Sequence, residues 1–213
     1  MCSMFTNERA VARWLAKTLK GCDSRLGEVL LEGAISRAQM EALAKGLGSR
    51  IPAFMAKPDL VLVVREPQSG RHVLAAVELK YFKTAGKKRW RRAYREFGQP
   101  LRYYLYGFDV AVLVHVFESG IEDTDVETYS EVVGEVVEKL KLPTAYISLK
   151  IADAERGLLK AFKPQKLGAV GICHVAKWIL EYCAEARNPL LPSDKEILER
   201  RNILKAVLCR SRC

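Results

Sequence analysis

Two apolar runs decide the fold: Pro58-Asp59-Leu60-Val61-Leu62-Val63-Val64-Arg65-Glu66 and Arg71-His72-Val73-Leu74-Ala75-Ala76-Val77-Glu78-Leu79-Lys80, joined by Pro67-Gln68-Ser69-Gly70. Both runs are rich in Val, Leu and Ala, and the joining residues are a turn signal, so the stretch reads as a β-hairpin. Pairing Glu66 with Arg71 and counting outward brings Asp59 opposite Glu78, where directly opposed residues have Cβ atoms about 4.5–5.5 Å apart. Side chains alternate between faces along a strand, so Lys80 shares the face of Glu78. Leu60, Leu62 and Val64, with Val73, Ala75, Val77 and Leu79, form the other face, wholly apolar, which must be core. A tighter turn at Ser69-Gly70 would shift the register and set Asp59 against Lys80, with the three polar groups still on one face. Two carboxylates this close repel each other unless a cation lies between them, and hard oxygen donors suit Mg²⁺ or Mn²⁺ better than zinc.

A chain of 213 residues, 49% of them apolar, is long enough for one ordinary domain with a real core. The expected organisation is a core over residues 1–165 and a helical C-terminal extension over 166–213, packed on it. The net charge is +10, which calls for a polyanionic partner. Nucleic acid is the leading candidate and an anionic membrane surface the weaker one. Neither a signal-peptide pattern nor an apolar stretch of membrane-spanning length is present, so a soluble cytoplasmic protein without a membrane partner is expected. The six cysteines include no C-x-x-C pair, which argues against zinc-ribbon and iron–sulfur sites and for free or buried thiols. Scarce Asn and Gln with abundant Lys, Arg, Glu and Val is a compositional trait of thermophilic proteins, in which intracellular disulfides do occur.

Around the hairpin, helical spacing follows Asn7 as far as about Lys20, Leu26–Ala34 reads as a strand and Ser36–Leu47 as a second helix. A long helical segment is expected from Lys87 to Tyr106, broken or kinked near Gly98-Gln99 by Pro100. Asp109–Phe117 reads as a strand covered on both faces, with His115 a core histidine. A helix capped at Thr124 or Asp125 runs to Leu140, a last strand spans Thr144–Leu149, and helices follow over Ala169–Arg187 and Ser193–Arg210. The fold class predicted is α/β, a mixed central sheet of about four to five strands flanked by helices.

Pro58-Asp59, Glu78-Leu79-Lys80 and the pair Gln99 and Tyr103 resemble the motifs of the PD-(D/E)XK nuclease superfamily. The last pair is similar to the Q-x-x-x-Y motif of its RecB-type members. That resemblance, which also touches the archaeal Holliday-junction resolvases, implies a restriction-endonuclease-like fold and Mg²⁺- or Mn²⁺-dependent hydrolysis of DNA. It implies that Asp59, Glu78 and the backbone carbonyl of Leu79 are metal ligands and that Lys80 positions or activates the attacking water. Gln99 and Tyr103 would support the lysine or touch the DNA backbone. A glutamate on the first helix completes the set in many members. Glu8 is the nearest match here, with Glu28 and Glu41 as alternatives. DNA is then the partner, acted on in repair, recombination or defence, and a homodimer is compatible.

Lys83–Arg95 holds seven basic residues and no acidic one. Within it Lys87, Lys88, Arg91, Arg92 and Arg95, with Arg102 beyond, form a candidate phosphate-binding stripe, which would give salt-sensitive binding with little sequence preference. A solvated helix face accounts for such a run equally well. Neither G-x-x-x-x-G-K-[ST] nor G-x-G-x-x-G occurs, so nucleotide-driven activity has no motif. The alternative function is a nucleic-acid-binding protein that does not cleave, and a third is association with anionic membranes.

Overall fold

The computed structural model describes residues 5–31, 41, 45, 57–66, 70–83, 97–185 and 187–209. Helix α1 (Glu8–Leu19) is capped by Asn7, whose side chain accepts from the Ala10 amide at 2.9 Å. Strands β1 (Leu26–Leu31), β2 (Leu60–Arg65) and β3 (His72–Phe82) follow. Then come α2 (Gly98–Leu105), β4 (Val110–Phe117), α3 (Asp123–Lys139) and β5 (Thr144–Asp153). The chain continues through β6 (Leu158–Lys163), β7 (Leu167–Gly171), α4 (Ile172–Glu185) and α5 (Lys195–Leu208).

The strands form one sheet in chain order, β1 to β7. Neighbours are antiparallel except β3:β4 and β4:β5, which are parallel. Parallel neighbours need a crossover, and α2 and α3 provide the two. Every residue of β4, at the centre, is buried.

The class is α/β, but the expected sheet of four to five strands is too small: seven are present. The expected helix from Ala169 is also displaced. Residues 167–171 pair with β6 as β7, and the helix starts at Ile172, so the 166–213 segment is not purely helical. The hairpin β6–β7 was hidden because Lys160 and Lys163 interrupt its apolar pattern. Lys160 is satisfied from far along the chain, by Asp123 at 2.6 Å. The strand expected to end at Leu149 extends to Asp153, where it pairs with Leu158. Pro100 falls in the first turn of α2, where amides have no intrahelical acceptor, so it costs that helix nothing. The helix expected over 36–47 lies largely outside the described residues.

Helices α1 and α4 cover one face of the sheet. Val11, Leu15, Leu19, Val175, Ile179 and Leu180 pack there on Leu60, Leu62, Val77, Leu79, Val112 and Val114, in one continuous apolar cluster. Cys22, just after α1, is disulfide-bonded to Cys173 at the start of α4. The opposite face is divided. Tyr103, Tyr106 and Phe108 pack with Leu204 and Val207 of α5 on Val61, Val63, Leu74 and Ala76. Val126, Tyr129 and Val133 of α3 pack separately on Phe82, Leu113, Phe117 and Tyr146. A polar row in register across four strands, Lys80, His115, Ser148 and Lys163, crosses this face.

Helix α5 locks the end of α2 in place. Arg201 Nε donates to Asp109 Oδ1, and Asp109 Oδ2 accepts the Leu74 amide at 2.9 Å. Gly107 has φ +91°, and a Cβ there would lie 2.5 Å from the Arg201 nitrogen, so glycine is required at this crossing. Asn188 Nδ2 donates to the carbonyls of Tyr104 and Phe108, each at 2.9 Å.

Candidate functional site

The hairpin register runs from Arg65 opposite His72 to Leu60 opposite Val77, and Glu66 accepts its partner outside the ladder, its amide bonding the Arg71 carbonyl at 2.9 Å. Continued by one step, this register sets Asp59 against Glu78. Strand β2 ends there, while β3 runs on for five more residues to Phe82. The β3 amides facing the missing partner are taken by carboxylates. The Leu79 amide donates to Asp59 Oδ2 at 2.8 Å and the Tyr81 amide to Glu8 Oε2 at 3.3 Å. The early end of β2 thus draws two acidic side chains from distant parts of the chain to one strand edge, satisfying backbone donors that would otherwise be orphaned.

Glu78 projects from the same stretch of β3 on the divided face and is buried, 3% exposed. Its Oε1 accepts from Lys80 Nζ at 2.7 Å, and its Oε2 accepts from the Tyr103 hydroxyl. Lys80 Nζ also lies 3.5 Å from Glu8 Oε1. The lysine ammonium therefore bridges the carboxylates of α1 and β3.

Burial, and then the negative charge of Glu78, push the Asp59 carboxyl up from 3.8 to about 7. The Leu79 amide and Lys80 pull it back, and Glu8 raises it further. Burial and then the Glu78 charge hold the Tyr103 hydroxyl well above the usual tyrosine range, so it remains a donor to Glu78.

Glu8, Asp59, Glu78, Lys80 and Tyr103 are brought together. Leu79 buries its side chain in the continuous cluster while its amide holds Asp59. Gln99 lies one turn before Tyr103 on α2, with its Oε1 buried and without a hydrogen-bond partner. Arg102, on the same helix, is exposed. Lys87, Lys88, Arg91, Arg92 and Arg95 lie outside the described residues. Glu28 sits on β1 opposite Val63, three steps along the sheet from the Leu31–Leu60 pair that ends it, and is not part of the cluster. Glu41 belongs to a stretch mostly outside the described residues.

Next to the cluster is a residue that the sequence pointed to only as core. His115 is fully buried and is the register partner of Lys80 across β3:β4. Its Nδ1 lies 3.1 Å from the Tyr146 hydroxyl, and its Nε2 has no hydrogen-bond partner. Burial, with Lys80 nearby, pushes the imidazole down to about 3, so it is neutral. Further along the row, the Ser148 and Ser130 hydroxyls are 2.6 Å apart, and Ser130 donates to the Val126 carbonyl.

The carboxylates converge on the Lys80 ammonium, and among the described residues no three His, Cys, Asp or Glu side chains are grouped as metal ligands. The donor set nonetheless suits a hard cation. Asp59 and Glu78 are oxygen donors crowded closely enough for the charge of one to raise the other, and the described residues bring no hydrogen bond to Asp59 Oδ1.

No protein-family model matches the chain, no curated protein matches its sequence, and no solved structure matches its fold. Among the described residues no helix is long and apolar enough to cross a membrane.

Proposed function

We propose that the chain is a metal-dependent nuclease that hydrolyses DNA phosphodiester bonds. One observation carries the reading: Asp59 and Glu78 meet at the open end of a hairpin, with Lys80 on the Glu78 carboxylate and Glu8 beside it. Asp59, Glu78 and the Leu79 carbonyl would hold Mg²⁺ or Mn²⁺, which when bound supplies an acidified water and neutralises charge on the phosphoryl oxygens. Lys80 adds a cation next to that position, available to the phosphate or to the attacking water. Tyr103 fixes the orientation of Glu78 from the side away from solvent, a supporting bond of the kind on which ligand geometry depends. The basic residues of the segment before α2, with Arg102, would neutralise the DNA backbone.

The test is incubation of plasmid, single-stranded and branched DNA with Mg²⁺ or Mn²⁺. Cleavage is expected for the parent protein and should vanish with EDTA, with Asp59→Ala and with Lys80→Ala. Cleavage that survives Asp59→Ala removes the assignment.

The second reading is a DNA-binding protein that does not cleave. It is favoured by the fact that both Glu78 oxygens already have donors, Lys80 and Tyr103. It predicts salt-sensitive DNA binding unaffected by EDTA, with no cleavage of any substrate.

A further inference from the structure

The Lys80 ammonium stands where a cation would stand, on Glu78 Oε1 and near Glu8. If Asp59 and Glu78 take a divalent cation, two positive charges cannot share that carboxylate oxygen, so Lys80 must give it up. A displaced ammonium on a largely buried stem needs another acceptor, because a buried charge without a partner is strongly unfavourable.

The neighbouring strand carries one. His115 is the register partner of Lys80, and both side chains project from the divided face of the sheet. The imidazole is wedged edge-on between Phe82 and Tyr146, with ring centroids 5.1 Å away in each case, so it cannot swing aside. Its Nδ1 is engaged on the β5 side by Tyr146, and β3 lies on its other side. With the proton on Nδ1, Nε2 presents a lone pair, and this buried nitrogen has no hydrogen-bond partner. An unmet buried acceptor costs about 1–3 kcal/mol, which is a reason to look for the state in which it is met.

We propose that His115 is a positioning residue for Lys80: its Nε2 accepts the Lys80 ammonium when a divalent cation occupies Asp59 and Glu78. Lys80 thus has two seats, the Glu78 carboxylate in the metal-free protein and His115 in the loaded one. This rests on the metal site proposed above. It adds a residue that the Asp59, Glu78 and Lys80 pattern does not contain.

The experiment is Mn²⁺ binding by calorimetry and by electron paramagnetic resonance on the full chain, without DNA, for the parent, His115→Phe, Lys80→Met and the double variant. His115→Phe should weaken Mn²⁺ binding about tenfold, the scale of lost supporting contacts at metal sites. Its metal-free melting temperature should not fall, because an unpaired nitrogen is exchanged for an apolar ring among aromatic neighbours. Lys80→Met should bind Mn²⁺ more tightly than the parent, and adding His115→Phe to it should change nothing, since no ammonium is left to seat. His115→Gln, which keeps an acceptor, should recover most of the affinity, and it serves as the reference should His115→Phe not fold, with His115→Leu as the apolar counterpart.

Equal affinity of the parent and the apolar variant overturns the proposal, as does an equal loss in the Lys80→Met background, which would mark His115 as merely structural. A parent that binds no Mn²⁺ overturns the metal site and this inference with it. A parent that binds Mn²⁺ tightly and cleaves DNA, with His115→Phe indistinguishable from it in affinity, overturns only the inference.

Discussion

The two faces of the sheet come from the same strands and are built in opposite ways. Under α1 and α4, alternate residues of β2 to β7 join one unbroken apolar cluster, and a disulfide ties the two covering helices together. Under α2, α3 and α5 the apolar surface is parted by Lys80, His115 and Ser148, with Glu78 beside them. Because both faces share one backbone, the polar face can carry charge only where the other face supplies the cohesion. The continuous face holds the strands in register, and the divided face uses that register to fix the spacing of carboxylates and lysine.

The contrast makes measurable demands, the largest on the continuous face. Cys22→Ser opens a link between residues 151 apart in sequence. It should lower unfolding stability by about 5 kcal/mol in the chain-entropy account, seen as a lower urea midpoint that matches the parent under dithiothreitol. Leu79→Ala should cost about 3 kcal/mol by emptying fully buried space, whereas Lys80→Met, one residue on but on the other face, should leave the urea midpoint close to the parent while abolishing cleavage. If the two substitutions destabilise equally, the division of labour between faces is wrong. Ser148→Ala should cost about 1 kcal/mol, since Ser130 keeps its bond to Val126 and loses only one partner.

The smallest effect is a pH slope at the site itself. An acid whose folded value, about 7, lies above its ordinary 3.8 binds its proton more tightly when folded. Its contribution is therefore present below about pH 4 and is lost as pH rises to about 7. Asp59→Asn should then gain stability relative to the parent across that window and hold the gain at pH 8. Chemical denaturation at pH 4, 6 and 8 measures it, and a parallel pair of curves would deny the crowding of Asp59 by Glu78.

The continuous face was legible because it is written in period two, Leu60-Leu62-Val64 against Val73-Ala75-Val77-Leu79, and that pattern with its turn also carried the register to Asp59 and Glu78. The strand β4 and the helix after it could be read for similar reasons, a long apolar run and a patterned face of Val126, Val133 and Val137. What could not be read depends on contacts between distant segments. Nothing local in Leu158–Lys163 says strand when Lys160 is neutralised by Asp123, and nothing local pairs Cys22 with Cys173. Glu8 could be separated from Glu28 only once α1 lay against the end of β3. His115 was read rightly as buried, but its nearness to Lys80 belongs to the parallel pairing of β3 with β4, which a sequence pattern does not encode.

Asp109, at the threshold of the central strand, is wholly buried and takes its guanidinium partner from Arg201, 92 residues later. During synthesis the strands β2 to β5 can assemble, yet that carboxylate stays without its cation until α5 has left the ribosome and packed against Gly107. A buried ion pair missing one member is worth about 3–5 kcal/mol of instability. A nascent chain halted before Arg201 would therefore carry a nearly finished sheet with a strained centre, and the last helix acts as the checkpoint that completes the molecule.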